Sequence, residues 1–145
     1  MPKAAPKKSY TPGDFNLKVR RARTGLGLFA ETDIPKGACI IEYVGRVLTD
    51  EEYDRSRSRY LFDLGNGKVL EGATRANKAR YINHSCRPNC ESEVHKGRIF
   101  IHAIKKVRAG DELVYNYGKE YFEAYLGENC LCPKCSPVEL AVAAE

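Results

Sequence analysis

Apolar residues along this 145-residue chain fall in short runs, and no stretch keeps a helical period for long. Alternation or brief apolar clustering predicts strands over residues 17–22, 26–30, 38–47, 60–64, 68–70, 91–95, 98–107 and 112–117. Turn chemistry marks the breaks: Pro35-Lys36-Gly37, Asn66-Gly67, Lys96-Gly97 and Ala109-Gly110-Asp111 stand between them. So many short strands predict a mainly β fold. Thr49 followed by Glu52 has the spacing of a capping box and predicts a short helix through about Arg57. A second helical piece is expected over 119–126, ending at Gly127. Residues 1–16 carry three prolines and no period, and read as a flexible basic tail.

Length and composition narrow the picture. A chain this long suits one hydrophobic core, and 43% hydrophobic with 30% charged residues is ordinary globular usage. Apolar runs such as 38–41 are far too short to span a membrane, and no apolar signal segment opens the chain, so a soluble intracellular protein is expected. The net charge of +5 is concentrated in Lys3, Lys7, Lys8, Lys18, Arg20, Arg21 and Arg23. That excess suits an acidic or nucleic-acid-associated partner, although a solvated basic face is the commoner explanation.

The six cysteines change the picture more than the charge does. Cys130, Cys132 and Cys135 stand within six residues, and without a secretory segment such clusters read as metal ligands before disulfides. Three thiols on one bent loop can meet on a tetrahedral Zn²⁺, with Cys86 or Cys90 as the distant fourth ligand. Four cysteines would close the site, making the metal structural. Gly25-Leu26-Gly27 permits close backbone approach but lacks the third glycine of a dinucleotide fingerprint, and a plain hairpin turn explains it too. Tyr115 and Tyr117 share one side of a strand by its period of two, as core packing or as channel walls.

Taken in order, Gly25-Leu26-Gly27, the 42–45 Glu-Tyr-Val-Gly run, Tyr60-Leu61-Phe62-Asp63-Leu64, Arg80-Tyr81-Ile82-Asn83-His84-Ser85-Cys86 with Pro88-Asn89, the 112–118 strand and the terminal Cys-x-Cys-x-x-Cys resemble the SET-domain family of protein lysine methyltransferases. The resemblance covers about residues 17–135. It implies a β-clip-like SET fold of several short curved sheets, with few short helices and a knot-like threaded C-terminal segment. It divides the chain into a tail at 1–16, a SET domain at 17–118, a post-SET zinc-binding segment at 119–136 and a C-terminal tail at 137–145. In the family pattern Asn83 and His84 hold S-adenosylmethionine, while Gly25, Leu26, Gly27, Leu28, Tyr60, Arg80 and Tyr117 contribute to the cofactor pocket. Cys86 joins Cys130, Cys132 and Cys135 on a structural Zn²⁺, and Cys39 and Cys90 read as small buried side chains. His84 is then no general base and Ser85 no nucleophile. The brief 50–70 insert resembles small viral and bacterial SET proteins.

The same resemblance makes Tyr117 the catalytic tyrosine, with Tyr43, Tyr60 and Tyr115 walling a lysine channel. Methyl transfer to an amine needs alignment and a neutral nucleophile. Lysine ordinarily titrates near 10.4, and an apolar aromatic channel beside a sulfonium favours the uncharged amine. A hydroxyl at Tyr115 restricts room for further methyls, which implies mono- or dimethylation. The implied substrate is a basic, lysine-bearing tail of histone H3 or a histone-like chromatin protein, in the nucleus or, in a bacterium, the cytoplasm. A catalytically silent peptide- or chromatin-binding module, and a methyltransferase of ribosomal or other non-histone proteins, are the alternatives. The basic N-terminus is a candidate for weak nucleic-acid contact.

Overall fold

Residues 8–117, apart from Thr24, Arg59 and Asn66, are described by the computed structural model. The fold is mainly β. Strands β1 (Leu17–Ala22) and β2 (Gly25–Ala30) form an antiparallel hairpin that pairs Ala22 with Gly25 across its turn. Gly25 takes φ of +120°, a conformation L side chains rarely adopt, so this turn selects glycine.

A second, three-stranded sheet has the order β4 (Arg46–Val47), β6 (Val69–Glu71), β5 (Leu61–Asp63). The sequence predicts one strand over 38–47, whereas the chain breaks it into β3 (Cys39–Tyr43) and β4 in different sheets. The break has a long-range cause. The Val44 amide donates to Oδ1 of buried Asn77, and a Cβ at Gly45 would come within 2.1 Å of the Glu71 carbonyl oxygen. Only glycine lets the backbone turn there. Helix α1 (Asp50–Arg55) follows with both halves of the predicted capping box made, Thr49 to the Glu52 amide and Glu52 back to the Thr49 amide.

The central sheet runs β3, β9 (Arg98–Ala103), β8 (Cys90–His95), β10 (Val114–Tyr115), β7 (Asn83–His84). Strand β10 lies between β7 and β8 and is parallel to both. One face of the sheet, with Ile99 and Ile101, meets Leu28, Ile34, Ile40 and Leu113 in the core. The hairpin is joined to this body through Leu113 N–H to Leu28 O at 2.8 Å and a bridge between Phe29 and Glu112. That joint carries the start of β2 up to β7 and β10.

The opposite face of the sheet, carrying Phe100 and His102, is covered by residues 9–13 of the segment expected as a tail. Tyr10 lies on His95 and edge-on to Phe100 and His102. Ser9 O accepts from His102 Nε2 at 2.7 Å, and Gly13 N–H donates to Cys39 O at 2.9 Å. Phe100 and His102 are thereby only 2% and 1% exposed. The expected strand over 98–107 ends at Ala103, with Val107 bridging Ile34 beyond it, and that over 112–117 contracts to β10. The helical piece at 119–126 lies outside the described residues, among which no helix is long and apolar enough to cross a membrane.

Candidate functional site

Four tyrosines form two pairs. Tyr43, buried at the end of β3, donates its hydroxyl to the carbonyl of Tyr60 at 3.1 Å and packs against Phe62. Tyr115 on β10 is 6% exposed, and its ring centroid lies 5.0 Å from that of Tyr117. The two pairs are joined by residues 80–82, which close the 3₁₀ helix Lys78–Tyr81. Arg80 places its guanidinium over Tyr60 and Tyr81, at 5.4 and 4.7 Å from the ring centroids, and donates to Tyr81 Oη and Ala73 O. At the other end of the segment, Ile82 O accepts from the Tyr117 hydroxyl. One rigid segment thus orients a phenol in each pair. Arg80, expected at the cofactor pocket, is engaged with rings and backbone here.

Asn83 and His84 sit on β7, held in register by Val114 and Tyr115 of β10. The Asn83 amide nitrogen donates to Leu26 O at 3.0 Å and to Glu112 Oε2 at 2.8 Å. This ties the start of β2 to β7. Leu28 is fully buried in the core, while Leu26 is exposed. Burial pushes the Glu112 carboxyl above its usual value, with the Asn83 hydrogen bond and the Arg23 charge pulling it back. A Cβ on Gly27 would lie 2.6 Å from Glu112 Oε2, so the second glycine of the turn leaves space for this carboxylate.

The His84 ring is oriented from both ends. The Tyr117 amide donates to Nδ1 at 3.0 Å, which puts the ring proton on Nε2, and Nε2 faces Cys86 Sγ at 3.4 Å. Burial lowers the ring's pKa, favouring this neutral form. A donor aimed at Cys86 suits a thiolate. Cys90 differs: it is 1% exposed, its thiol donates to Asn89 Oδ1, and burial pushes its pKa up to about 12. Cys39 is buried as well. Cys130, Cys132 and Cys135 lie outside the described residues.

Two asparagines and one glutamate were not anticipated as site builders. Asn77 ties Val44 to Gly72 through its two amide ends, at 3.1 and 2.9 Å. Asn89 binds along β10, accepting from Val114 N–H at 2.9 Å and donating to Glu112 O at 2.8 Å. Glu112 was legible only as part of a strand motif, because its partner Asn83 lies 29 positions away.

The mainly β scaffold gathers the Asn83-His84 pair of β7, two glycines of β2 and the paired tyrosines. The SET domain profile matches residues 25–118, and the chain belongs to the SET-domain family. It is 38% identical to histone-lysine N-methyltransferase trr of Drosophila melanogaster over 83% of this chain and 6% of that protein. It is 35% identical to the human histone-lysine N-methyltransferase, H3 lysine-36 specific, over 81% of this chain and 5% of that protein. Human histone-lysine N-methyltransferase 2D is 33% identical over 81% of this chain and 2% of its own length. The chain therefore spans a small fraction of these relatives.

Proposed function

We propose that this chain is an S-adenosylmethionine-dependent protein lysine methyltransferase that mono- or dimethylates a lysine in a basic tail of a histone or histone-like protein. The reading is carried by one observation: Tyr115 and Tyr117 stand ring against ring beside His84, with the Tyr117 hydroxyl fixed by Ile82 O. The relatives' names point to the same chemistry. The residues also fit the cofactor, since the half-buried Glu112 carboxylate gives the Asn83 pocket a negative character suited to a cation, and a Cβ at Gly25 would meet open space.

When bound, S-adenosylmethionine supplies an electrophilic methyl on a sulfonium. The chain's task is to orient and desolvate. Asn83, His84 and the 25–27 turn hold the cofactor, with Tyr60 and Tyr117 at its edge. Tyr43, Tyr60 and Tyr115 wall the passage for the lysine side chain, whose charged form is disfavoured among apolar ring faces. The hydroxyl of Tyr117, fixed in direction, holds the amine in line, and that of Tyr115 limits its methyl count. Cys86 with Cys130, Cys132 and Cys135 would hold a structural zinc in a post-SET segment at 119–136. The placement of β10 between β7 and β8 supports a threaded crossing of the chain at this point.

Incubation with labelled S-adenosylmethionine and a histone panel tests the reading. Label should enter a histone lysine, and Tyr117→Phe should reduce transfer by about 100-fold or more while the variant still binds S-adenosylhomocysteine. Tight cofactor binding with no transfer to histones or cell extract would replace the enzyme by a binding module.

A further inference from the structure

The Asn83 side chain has one orientation that its neighbours accept. Its Nδ2 stands 3.0 Å from Leu26 O and 2.8 Å from Glu112 Oε2. A carbonyl and an ionised carboxylate can only accept, so a reversed amide would set oxygen against two oxygens. Both amide hydrogens are spent, and Oδ1 is what Asn83 has left to offer. The backbone fixes the carboxylate in turn, because Phe29 bridges Glu112 and Leu28 O binds the next amide. Gly27 keeps the space in front of Oε2 open.

Resting on the cofactor reading above, we propose that Glu112 is a positioning residue that locks Asn83 as a hydrogen-bond acceptor for the ammonium of the cofactor's amino-acid end. An acceptor selects a donor, which excludes the cofactor's carboxylate. The anionic charge directly behind the amide favours a cationic donor over a hydroxyl. Glutamine at position 112 preserves size but can donate as well as accept, so it permits either amide orientation.

Calorimetric affinities for S-adenosylhomocysteine, and for its analogue lacking the amino group, test this with the full chain. Glu112→Gln should weaken S-adenosylhomocysteine by about tenfold. The desamino analogue should bind the variant and the wild type within about twofold, and an Asn83→Ala background should make Glu112→Gln silent to the same margin. In turnover, the KM for S-adenosylmethionine should rise while that for peptide stays constant. Should circular dichroism find Glu112→Gln unfolded, Glu112→Asp is read in its place with the same expected loss, because its shorter chain withdraws the acceptor. Unchanged S-adenosylhomocysteine affinity, or an equal loss with the desamino analogue, overturns the proposal. A wild-type chain that binds neither ligand overturns the cofactor reading and this proposal with it.

Discussion

The backbone amide of Tyr117 donates to Nδ1 of His84 at 3.0 Å, so the placement of the last described tyrosine depends on an imidazole of the parallel neighbouring strand. Loss of that acceptor leaves a partly buried amide unsatisfied. His84→Ala is expected to cost about 2 kcal/mol of stability. His84→Asn, whose Oδ1 can stand near the Nδ1 position, should recover about half of it. Urea denaturation of the two variants decides: equal losses would show that the Tyr117 contact contributes nothing.

Glu112 gives the fold a pH dependence whose sign follows from burial. Its carboxyl titrates above the usual 4.5 in the folded chain, so the native state retains a proton that the unfolded chain has released. The stabilisation this gives is fully present below 4.5 and is lost as pH rises through the higher folded value. Glu112→Gln carries no such term. Its stability relative to the wild type should therefore improve between about pH 4 and pH 7, even as cofactor affinity falls. Denaturation midpoints at the two pH values that diverge the other way would refute the assignment.

Tyr10 lies flat on His95, with ring centroids 3.6 Å apart and planes within 3°, and donates to Glu93 Oε2 at 2.8 Å. Lys8 reinforces the same edge through Glu91 and Glu93 at 2.7 and 3.0 Å. The segment shields Phe100 and His102, so Tyr10→Ala should expose an otherwise covered face of the sheet. A fall in Tm of about 4 °C or more is expected, with Tyr10→Phe losing less than half as much because the stack survives. Indistinguishable melting curves for all three proteins would mean that this segment contributes no stability.

What was legible in the sequence was local. The Thr49–Glu52 capping box spans four residues and dictates α1 without help from elsewhere, and the β8–β9 hairpin follows from alternation around Lys96-Gly97. The family motifs located Asn83, His84 and the tyrosines. Their supports were not legible, since Asn77 acts on Val44 across 33 positions and Glu112 on Asn83 across 29. A two-residue strand such as β7 has no period to detect; parallel pairing with β10 creates it. Residues 8–15 read as tail because the 1–16 stretch carries three prolines and no period, while the partners that order Tyr10 stand 83 and more positions downstream.

Of the two cysteines that could complete a zinc site, the structure distinguishes one. Cys90 is enclosed, its thiol is pushed up to about 12, and it already donates to Asn89, so giving up its proton to a metal would cost both burial and that bond. Cys86 is partly exposed and faces the N–H of His84, a donor that favours sulfur as thiolate. For the zinc site proposed above, Cys86→Ser should therefore weaken zinc binding by more than about tenfold, whereas Cys90→Ser should leave it unchanged. Elemental analysis after dialysis against a weak chelator measures both. Stripping the ion with a strong chelator should lower the melting temperature of the wild type and of Cys90→Ser alike, and have little further effect on Cys86→Ser. Zinc retained by Cys86→Ser but lost from Cys90→Ser would reverse the assignment.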